Sequence, residues 1–416
     1  MRRPLLAVLA ALALPLLLPA AGQATNVSVI PVSSDVSSEI TYVPLVKEGT
    51  DDDSGTPEPE VNTVFISRPS PRRIVVTDQT APVTPGRLCE AVSSHTARCD
   101  IPADDPEVKR TMLPGYVTLG MFDDRLTLGS YPFEVDAGAG ADTIRGGAAP
   151  ARIFGGEGDD TLQAGTGDDT LSGGPGTDLL DGGDGRDSIS YSGSPGAVAV
   201  TLDGQRNDGL DPDHSGISGP SEENDRDVDV EDVTGSGGAD RLVGNDGPNA
   251  LQGLSGDDLL RGRLGADALD GEQGMDTLDG GIGNDRLDGG VGADLLDGGP
   301  GLDFITYARR GANDPVAIRL DGARNDGSDP DRNGVSEPDE EGDQDVSIEN
   351  ATGGPGRDFI LSLLSGRNLL NGLAGDDRIY SRDGSATTDY ISCGTGADKA
   401  QTDPADSKTS CETALP

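Results

Sequence analysis

The chain has 416 residues, 62 of them glycine and none tryptophan, and aromatic residues make up only 3% of it. A chain so poor in large apolar side chains cannot fill a thick globular core, which favours a thin core of stacked repeats. Its 74 acidic and 31 basic residues give a formal net charge of −43. This charge argues against a nucleic-acid partner, and it would repel the compact state unless cations bind, about twenty if divalent.

Residues 1–24 have the composition of an export signal. Two arginines precede an apolar run from Leu5 to Leu18, and small residues follow, among them Ala21 and Ala24. This order predicts a secretory signal peptide cleaved near one of those alanines, by the general or the twin-arginine route. No other segment is long and apolar enough to span a bilayer, so we expect a secreted, extracellular protein without a membrane span.

The region from residue 25 to residue 118 is rich in Pro, Ser, Thr and Val, a composition that favours short strands or disorder. The apolar runs Val64–Ile66 and Ile74–Val76, each bounded by turn residues, are candidate strands. A small loop between Cys89 and Cys99 closes the region.

The four cysteines form two pairs that are close in sequence, Cys89 with Cys99 and Cys393 with Cys411. In an exported protein, an even number of cysteines with local spacing favours a disulfide within each pair. Zinc is the alternative, but neither pair has C-x-x-C spacing.

A nine-residue unit repeats through most of the rest of the chain. In GGEGDDTLQAGTGDDTLSGGPGTDLL, residues 155–180, an aspartate recurs every nine residues and a leucine follows it two places later. The unit is G-G-x-G-x-D-x-U-x, where U is apolar, and this pattern is typical of calcium-binding β-solenoids. We divide the chain into repeat blocks at 119–190, 235–306 and 353–380, two mutually similar inserts at 191–234 and 307–352, and a tail at 381–416.

The chemistry of the unit agrees with the pattern. Glycines adopt left-handed backbone angles cheaply, so three in six residues permit a tight turn with inward carbonyls. An aspartate after the turn adds an anionic oxygen, and calcium prefers such mixed oxygen ligands. The last three residues make a short strand with one side chain in a narrow core, and two units make one coil, stacked at about 4.8 Å. A disordered linker is the alternative, but it would not keep an apolar residue in phase with the aspartate.

The repeats resemble the RTX, or hemolysin-type, calcium-binding repeat proteins. The resemblance implies an all-β fold, a parallel β-roll or right-handed β-solenoid, in which backbone carbonyls and the sixth-position aspartate bind several calcium ions. Ala151, Asn249 and Asn368 replace that aspartate; alanine cannot coordinate, whereas asparagine keeps one carbonyl oxygen. The implied ligands are Asp142, Asp160, Asp169, Asp178, Asp187, Asp240, Asp258, Asp267, Asp276, Asp285, Asp294, Asp303, Asp358 and Asp377.

Each insert also contains a twelve-residue run with the order of calcium ligands found in EF-hand loops, DPDHSGISGPSE at 211–222 and DPDRNGVSEPDE at 329–340. The apolar residue sits one place early in both runs, and no amphipathic helices flank them. A solvated acidic excursion between coils is the alternative. The candidate ligands are Asp211, Asp213, Ser215, Glu222, Asp329, Asp331, Asn333 and Glu340.

No catalytic motif stands out. The chain has neither an H-E-x-x-H nor a G-x-S-x-G motif, and His95 and His214, its two histidines, lie in settings typical of surface residues. We therefore expect a secreted, non-catalytic protein whose roll folds on binding calcium, and whose partner is an unidentified extracellular or cell-surface molecule. The alternative is a secreted hydrolase of protease, lipase or glycosidase type with an RTX-like tail.

Overall fold

A computed structural model describes the strands between residues 25 and 100, and then residues 115–414 with gaps. The gaps are residues 121–122, 130–131, 212–223, 312–314, 322–323, 329–342, 363, 365, 385–386 and 412. The predicted signal peptide and both histidines lie outside the described residues. The regular elements of the described residues are all strands, and this part of the chain contains no helix able to cross a membrane.

Seven strands of the described residues precede the repeats: β1 (Thr25–Ser33), β2 (Ile40–Lys47), β3 (Thr63–Ser70), β4 (Arg73–Asp78), β5 (Val83–Pro85), β6 (Cys89–Ser93) and β7 (Thr96–Asp100). The apolar runs predicted as strands lie within β3 and β4. Strand β1 pairs with β2 and β5, while an antiparallel ribbon runs in the order β3-β4-β7-β6 and places Cys89 opposite Cys99.

The repeats form a two-layered parallel solenoid in which two nine-residue units make one coil, so that Leu162 pairs with Leu180 eighteen residues later. The first block comprises β8 (Gly115–Gly120), β9 (Arg125–Leu128), β10 (Phe133–Ala139), β11 (Thr143–Arg145), β12 (Ala151–Glu157), β13 (Thr161–Thr166), β14 (Thr170–Ser172), β15 (Leu179–Asp184) and β16 (Ser188–Ser190). The first insert contributes β17 (Val198–Thr201), β18 (Arg206–Leu210) and β19 (Asp225–Val228).

The second half repeats this plan. Its block comprises β20 (Asp232–Thr234), β21 (Arg241–Val243), β22 (Ala250–Ser255), β23 (Leu259–Leu264), β24 (Ala268–Gln273), β25 (Thr277–Ile282), β26 (Arg286–Asp288), β27 (Leu295–Asp297) and β28 (Phe304–Thr306). The second insert contributes β29 (Val316–Leu320), β30 (Arg324–Ser328) and β31 (Asp343–Val346). The chain ends with β32 (Asn350–Thr352), β33 (Phe359–Ser362), β34 (Leu369–Asn371), β35 (Arg378–Ser381), β36 (Tyr390–Ser392), β37 (Lys399–Thr402), β38 (Ser407–Thr409) and β39 (Thr413–Ala414).

One layer is a fourteen-stranded sheet of the even-numbered strands from β8 to β38, without β18 and β30. The odd-numbered strands form the other layer, which begins where β9 pairs with β3. Between the layers, most strands of the nine-residue units contribute one large buried apolar side chain, and Leu162, Leu171, Leu278 and Leu296 are each 0% exposed. The parallel β-roll predicted from the repeat is confirmed.

Each insert replaces one strand of the odd-numbered layer by three. The order there is β15-β19-β18-β17-β21 in the first insert and β27-β31-β30-β29-β33 in the second. The strand-like segments AVAVTL and VAIRL supply β17 and β29, whose Val198, Val200, Val316 and Ile318 are buried. The inserts are therefore built into the solenoid wall at both ends.

The tail continues the solenoid with longer coils. Asp358 and Asp377 lie 19 residues apart and Asp377 and Asp398 lie 21 apart, yet the strands keep their parallel pairing. Near the end, the structure brings Cys393 and Cys411 together with their sulfur atoms at bonding distance and their Cα atoms 5.1 Å apart.

Candidate metal centre

The sixth-position aspartates form ladders that run along the stacked turns. The backbone N–H of Asp142 donates to Oδ1 of Asp160 at 2.7 Å, and Asp160 donates in the same way to Asp178. All fourteen aspartates implied by the resemblance are at most 2% exposed. Each coil thus orients the carboxylate of the next one through Oδ1.

There are two such ladders, one on each edge of the roll. The first edge contains the turns that enter the odd-numbered layer, and its residues are Asp124, Asp142, Asp160, Asp178, Asp225, Asp240, Asp258, Asp276, Asp294, Asp343, Asp358, Asp377 and Asp398. The second edge enters the fourteen-stranded sheet and carries Ala151, Asp169, Asp187, Glu231, Asn249, Asp267, Asp285, Asp303, Glu349, Asn368, Asp389 and Asp406. The three non-acidic replacements all lie on the second edge.

The other carboxylate oxygen, Oδ2, points to the first glycine of the same turn. We call the space between this glycine, the Oδ2 atom and the carbonyl oxygen of the next coil the cradle. A β-carbon placed on Gly253 would lie 2.2 Å from Asp258 Oδ2 and 3.0 Å from the carbonyl oxygen of Gly271 in the next coil. Only glycine leaves room for these oxygens. Among the described residues, Oδ2 accepts no hydrogen bond in Asp160, Asp169, Asp187, Asp258, Asp267, Asp276, Asp285, Asp303 and Asp377.

Burial makes ionisation of these carboxyls costly. Burial, together with a smaller effect of neighbouring carboxylates, raises the pKa of Asp160, Asp258, Asp276 and Asp377 to about 7. The backbone N–H bonds to Oδ1 act in the opposite direction but do not compensate. A group that must be ionised at neutral pH in such a place requires a cation beside it.

The donor set fits calcium. Calcium takes six to eight hard oxygen ligands, and both carboxylates and backbone carbonyls serve. Each cradle offers a buried Oδ2 together with a carbonyl oxygen of the adjacent coil, as Asp258 and Gly271 show. No three His, Cys, Asp or Glu side chains in the described part of the chain are grouped to hold a metal ion. The sixth-position aspartates would therefore share each ion with main-chain carbonyls.

The replaced positions differ from one another. Asn249 donates its side-chain N–H to the carbonyl oxygen of Glu231 at 2.6 Å, and Asn368 donates to that of Glu349 at 2.7 Å. In both residues an N–H donor thus replaces one of the two carboxylate oxygens that an aspartate would have. Ala151 keeps its place in the ladder only through its backbone N–H, which donates to Asp169.

The structure adds ladder residues that the repeat pattern did not indicate. Asp225 Oδ1 accepts from Asp178 N–H across 47 residues, and Asp343 accepts from Asp294 across 49, because each insert returns to register at these aspartates. The tail adds Asp389 and Asp398. Of these four, Asp398 alone lies in a recognisable partial repeat, CGTGADKA at residues 393–400.

The EF-type runs remain predictions. Asp211 is 3% exposed, and its backbone N–H donates to the carbonyl oxygen of Ala197. Seven of the eight candidate ligands lie outside the described residues: Asp213, Ser215, Glu222, Asp329, Asp331, Asn333 and Glu340.

Comparison with known proteins agrees with this geometry. No curated protein matches the chain. The family model of the RTX calcium-binding nonapeptide repeat, in four copies, matches residues 134–149, 154–189, 234–269, 270–305, 352–387 and 362–399. The matched units, whose aspartates line both edges of the solenoid, are thus RTX calcium-binding nonapeptide repeats, and the chain contains an array of them.

Proposed function

We propose that this protein is exported and that calcium ions bound along both edges of the roll close its coils. The observation that carries the proposal is the series of buried aspartates whose Oδ2 atoms meet no donor among the described residues. Without a cation, each added coil places another carboxylate beside its neighbours, as the effect of Asp294 and Asp258 on the pKa of Asp276 indicates. Binding is therefore coupled to folding. At the low calcium level inside a cell the roll stays open, and outside it closes.

We further propose a non-catalytic role at a cell surface or in the extracellular medium. The acidic groups that dominate the molecule form two regular ladders, which suits repeated metal binding better than one acid–base pair. Disulfides at Cys89–Cys99 and Cys393–Cys411 suit an oxidising compartment, and the pairing geometry at both places is compatible with them. Assays of the calcium-loaded protein on peptide, ester and glycan substrates test this role. Turnover that a single side-chain substitution abolishes would overturn it.

The test of calcium-coupled folding is circular dichroism during a calcium titration, with magnesium as the control ion. We expect strand signal to appear cooperatively with calcium and not with magnesium, which dehydrates reluctantly and demands octahedral geometry. Asp258→Asn should shift the midpoint to higher calcium. Asp257→Asn is its matched control, because it removes the same charge from an exposed neighbour. The hydrogen bond that Asp257 Oδ1 accepts from the N–H of Met275 can be kept by the asparagine oxygen. A full strand spectrum in chelator would contradict the proposal.

A further inference from the structure

Each insert contains a pair of buried carboxyl groups that the nine-residue repeat does not explain. In the first insert, Asp208 on β18 and Asp227 on β19 are 0% and 3% exposed. In the second, Asp326 on β30 and Asp345 on β31 occupy the same places with the same exposures. The surrounding sequences match as well, R-N-D-G around the first member of each pair and D-x-D-V around the second.

The two carboxyl groups of a pair face each other. Asp208 Oδ1 accepts from the N–H of Thr201 at 2.7 Å, and Asp227 Oδ2 accepts from the N–H of Gly204 at 3.3 Å. The remaining oxygens, Asp208 Oδ2 and Asp227 Oδ1, are buried and find no donor among the described residues. The side chains lie within hydrogen-bonding range of one another. Two facing acceptors require a cation or a proton between them.

The second insert repeats the arrangement. The N–H of Arg319 donates to Asp326 Oδ1, while Asp326 Oδ2 is buried with no donor in the described residues. The side chain of Asp326 lies within hydrogen-bonding range of Asp345. Because the geometry recurs in two copies, it belongs to the three-stranded insert itself.

Among the described residues, no positive charge lies beside Asp208, Asp227 or Asp326. In the part of the chain that the structure describes, no Arg or Lys side chain forms an ion pair with Asp208, Asp227 or Asp326. Burial raises the pKa of Asp208 and Asp326, and the facing carboxyl groups raise it further. A buried, unpaired carboxylate is strongly unfavourable, so a stable fold must neutralise each pair.

We propose that each insert binds one calcium ion between its paired aspartates, Asp208 with Asp227 and Asp326 with Asp345. Two carboxylates balance the charge of a divalent ion, and calcium accepts carboxylate and carbonyl oxygens in flexible geometry. None of these four aspartates belongs to a sixth position of the repeat or to a twelve-residue run. Each ion links β18 to β19, or β30 to β31. In both cases the strand pairing is short and its register shifts, so the ion adds a contact where few backbone hydrogen bonds form.

The test is a count of bound calcium in the full chain at saturating calcium and pH 7.5, by equilibrium dialysis or native mass spectrometry. The double variant Asp208→Asn, Asp326→Asn should bind two fewer ions than the wild type, and each single variant one fewer. The matched control is Asp203→Asn, Asp321→Asn, which removes the same charge from exposed residues in the same two hairpins. The control should lose no ion.

The alternative chemistry is a proton shared by the two carboxyl groups, and it gives the opposite result. The double variant would then bind as many ions as the wild type, which overturns the inference while leaving repeat binding intact. A wild-type chain that binds no calcium contradicts the proposed function as well. If the double variant does not fold, hydrogen exchange of the wild type decides: calcium must slow exchange in β18 and β30. If the exchange rates of β18 and β30 are the same in chelator and at saturating calcium, the proposal is overturned.

Discussion

The side-chain amide of Asn249 donates a hydrogen bond to the carbonyl oxygen of Glu231, 2.6 Å away, at a position where most other turns carry an aspartate. The amide N–H satisfies this carbonyl, whereas in the acidic turns the corresponding carbonyl accepts a backbone N–H, as that of Asp142 does from Thr161. One place on the second edge is thereby stabilised without metal.

Asn249→Asp should convert this place into a calcium-dependent one. In chelator, the new carboxylate keeps the N–H of Asn245 as a donor but sets its other oxygen against the carbonyl oxygen of Glu231. We therefore expect the unfolding free energy to fall by about 1–3 kcal/mol, or residual strand content to decrease. In calcium, the variant should bind one additional ion, counted by equilibrium dialysis. Asn284→Asp is the control, because it adds the same charge at an exposed position. The hydrogen bond that Asn284 Oδ1 accepts from the N–H of Leu302 can be kept by the aspartate. An unchanged ion count in Asn249→Asp would refute this prediction.

Gly253→Ala should damage one cradle. Its β-carbon would lie 2.2 Å from Asp258 Oδ2, so the carboxylate must move from its place. We expect the unfolding free energy in calcium to fall by about 1–3 kcal/mol, and the midpoint of the calcium titration to move to a higher concentration. Gly237→Ala is the control, since nothing lies within 4 Å of its β-carbon. Equal calcium midpoints for the two variants would show that the cradle is not a binding element.

Leu254→Gly should stabilise the protein. Leu254 occupies the second position of its unit with φ of 80°, a left-handed conformation that glycine adopts at the equivalent Gly156 and Gly165. Removing this strain should raise the unfolding free energy by roughly 1 kcal/mol in calcium. Denaturant unfolding measures the gain. The neighbouring Leu264→Gly has no such strain to relieve and should destabilise; a gain of the same size there would point to another cause.

The pH dependence should reverse with calcium. Burial raises the folded-state pKa of Asp258 and Asp276 to about 7, above the ordinary 3.8, so the metal-free fold takes up protons. Its stability is therefore greatest near pH 4 and falls as pH rises through 7. Calcium needs the ionised carboxylates, so the loaded protein should gain stability over the same interval. Circular dichroism from pH 4 to 8, in calcium-depleted and calcium-containing buffer, checks both slopes. Strand content that rises with pH in depleted buffer contradicts the assignment.

Much of the fold follows from local spacing. The nine-residue period predicts the turn, the short strand and the single inward side chain, because glycine conformation and strand alternation act over a few residues. Leu162, Leu171 and Leu180 are buried for this reason. The period also predicts that two units make a coil, which the pairing of Leu162 with Leu180 confirms.

Other features depend on contacts between distant segments. The inserts have no nine-residue period, so their strands could not be placed until β19 and β31 paired beside β15 and β27. That pairing brings Asp225 under Asp178 and Asp343 under Asp294. Sequence distance hides such neighbours, because the chain between them leaves the coil and returns.

The sequence by itself determined that this protein is a stack of acidic, glycine-rich turns around a thin apolar core, because the residues that form each turn and strand lie within one nine-residue unit. Only the tertiary structure decided which carboxylates share an edge, which oxygens are left without a donor, and that Asp208 meets Asp227. Those relationships arise from stacking and from antiparallel return of the inserts, and no short stretch of sequence contains both partners.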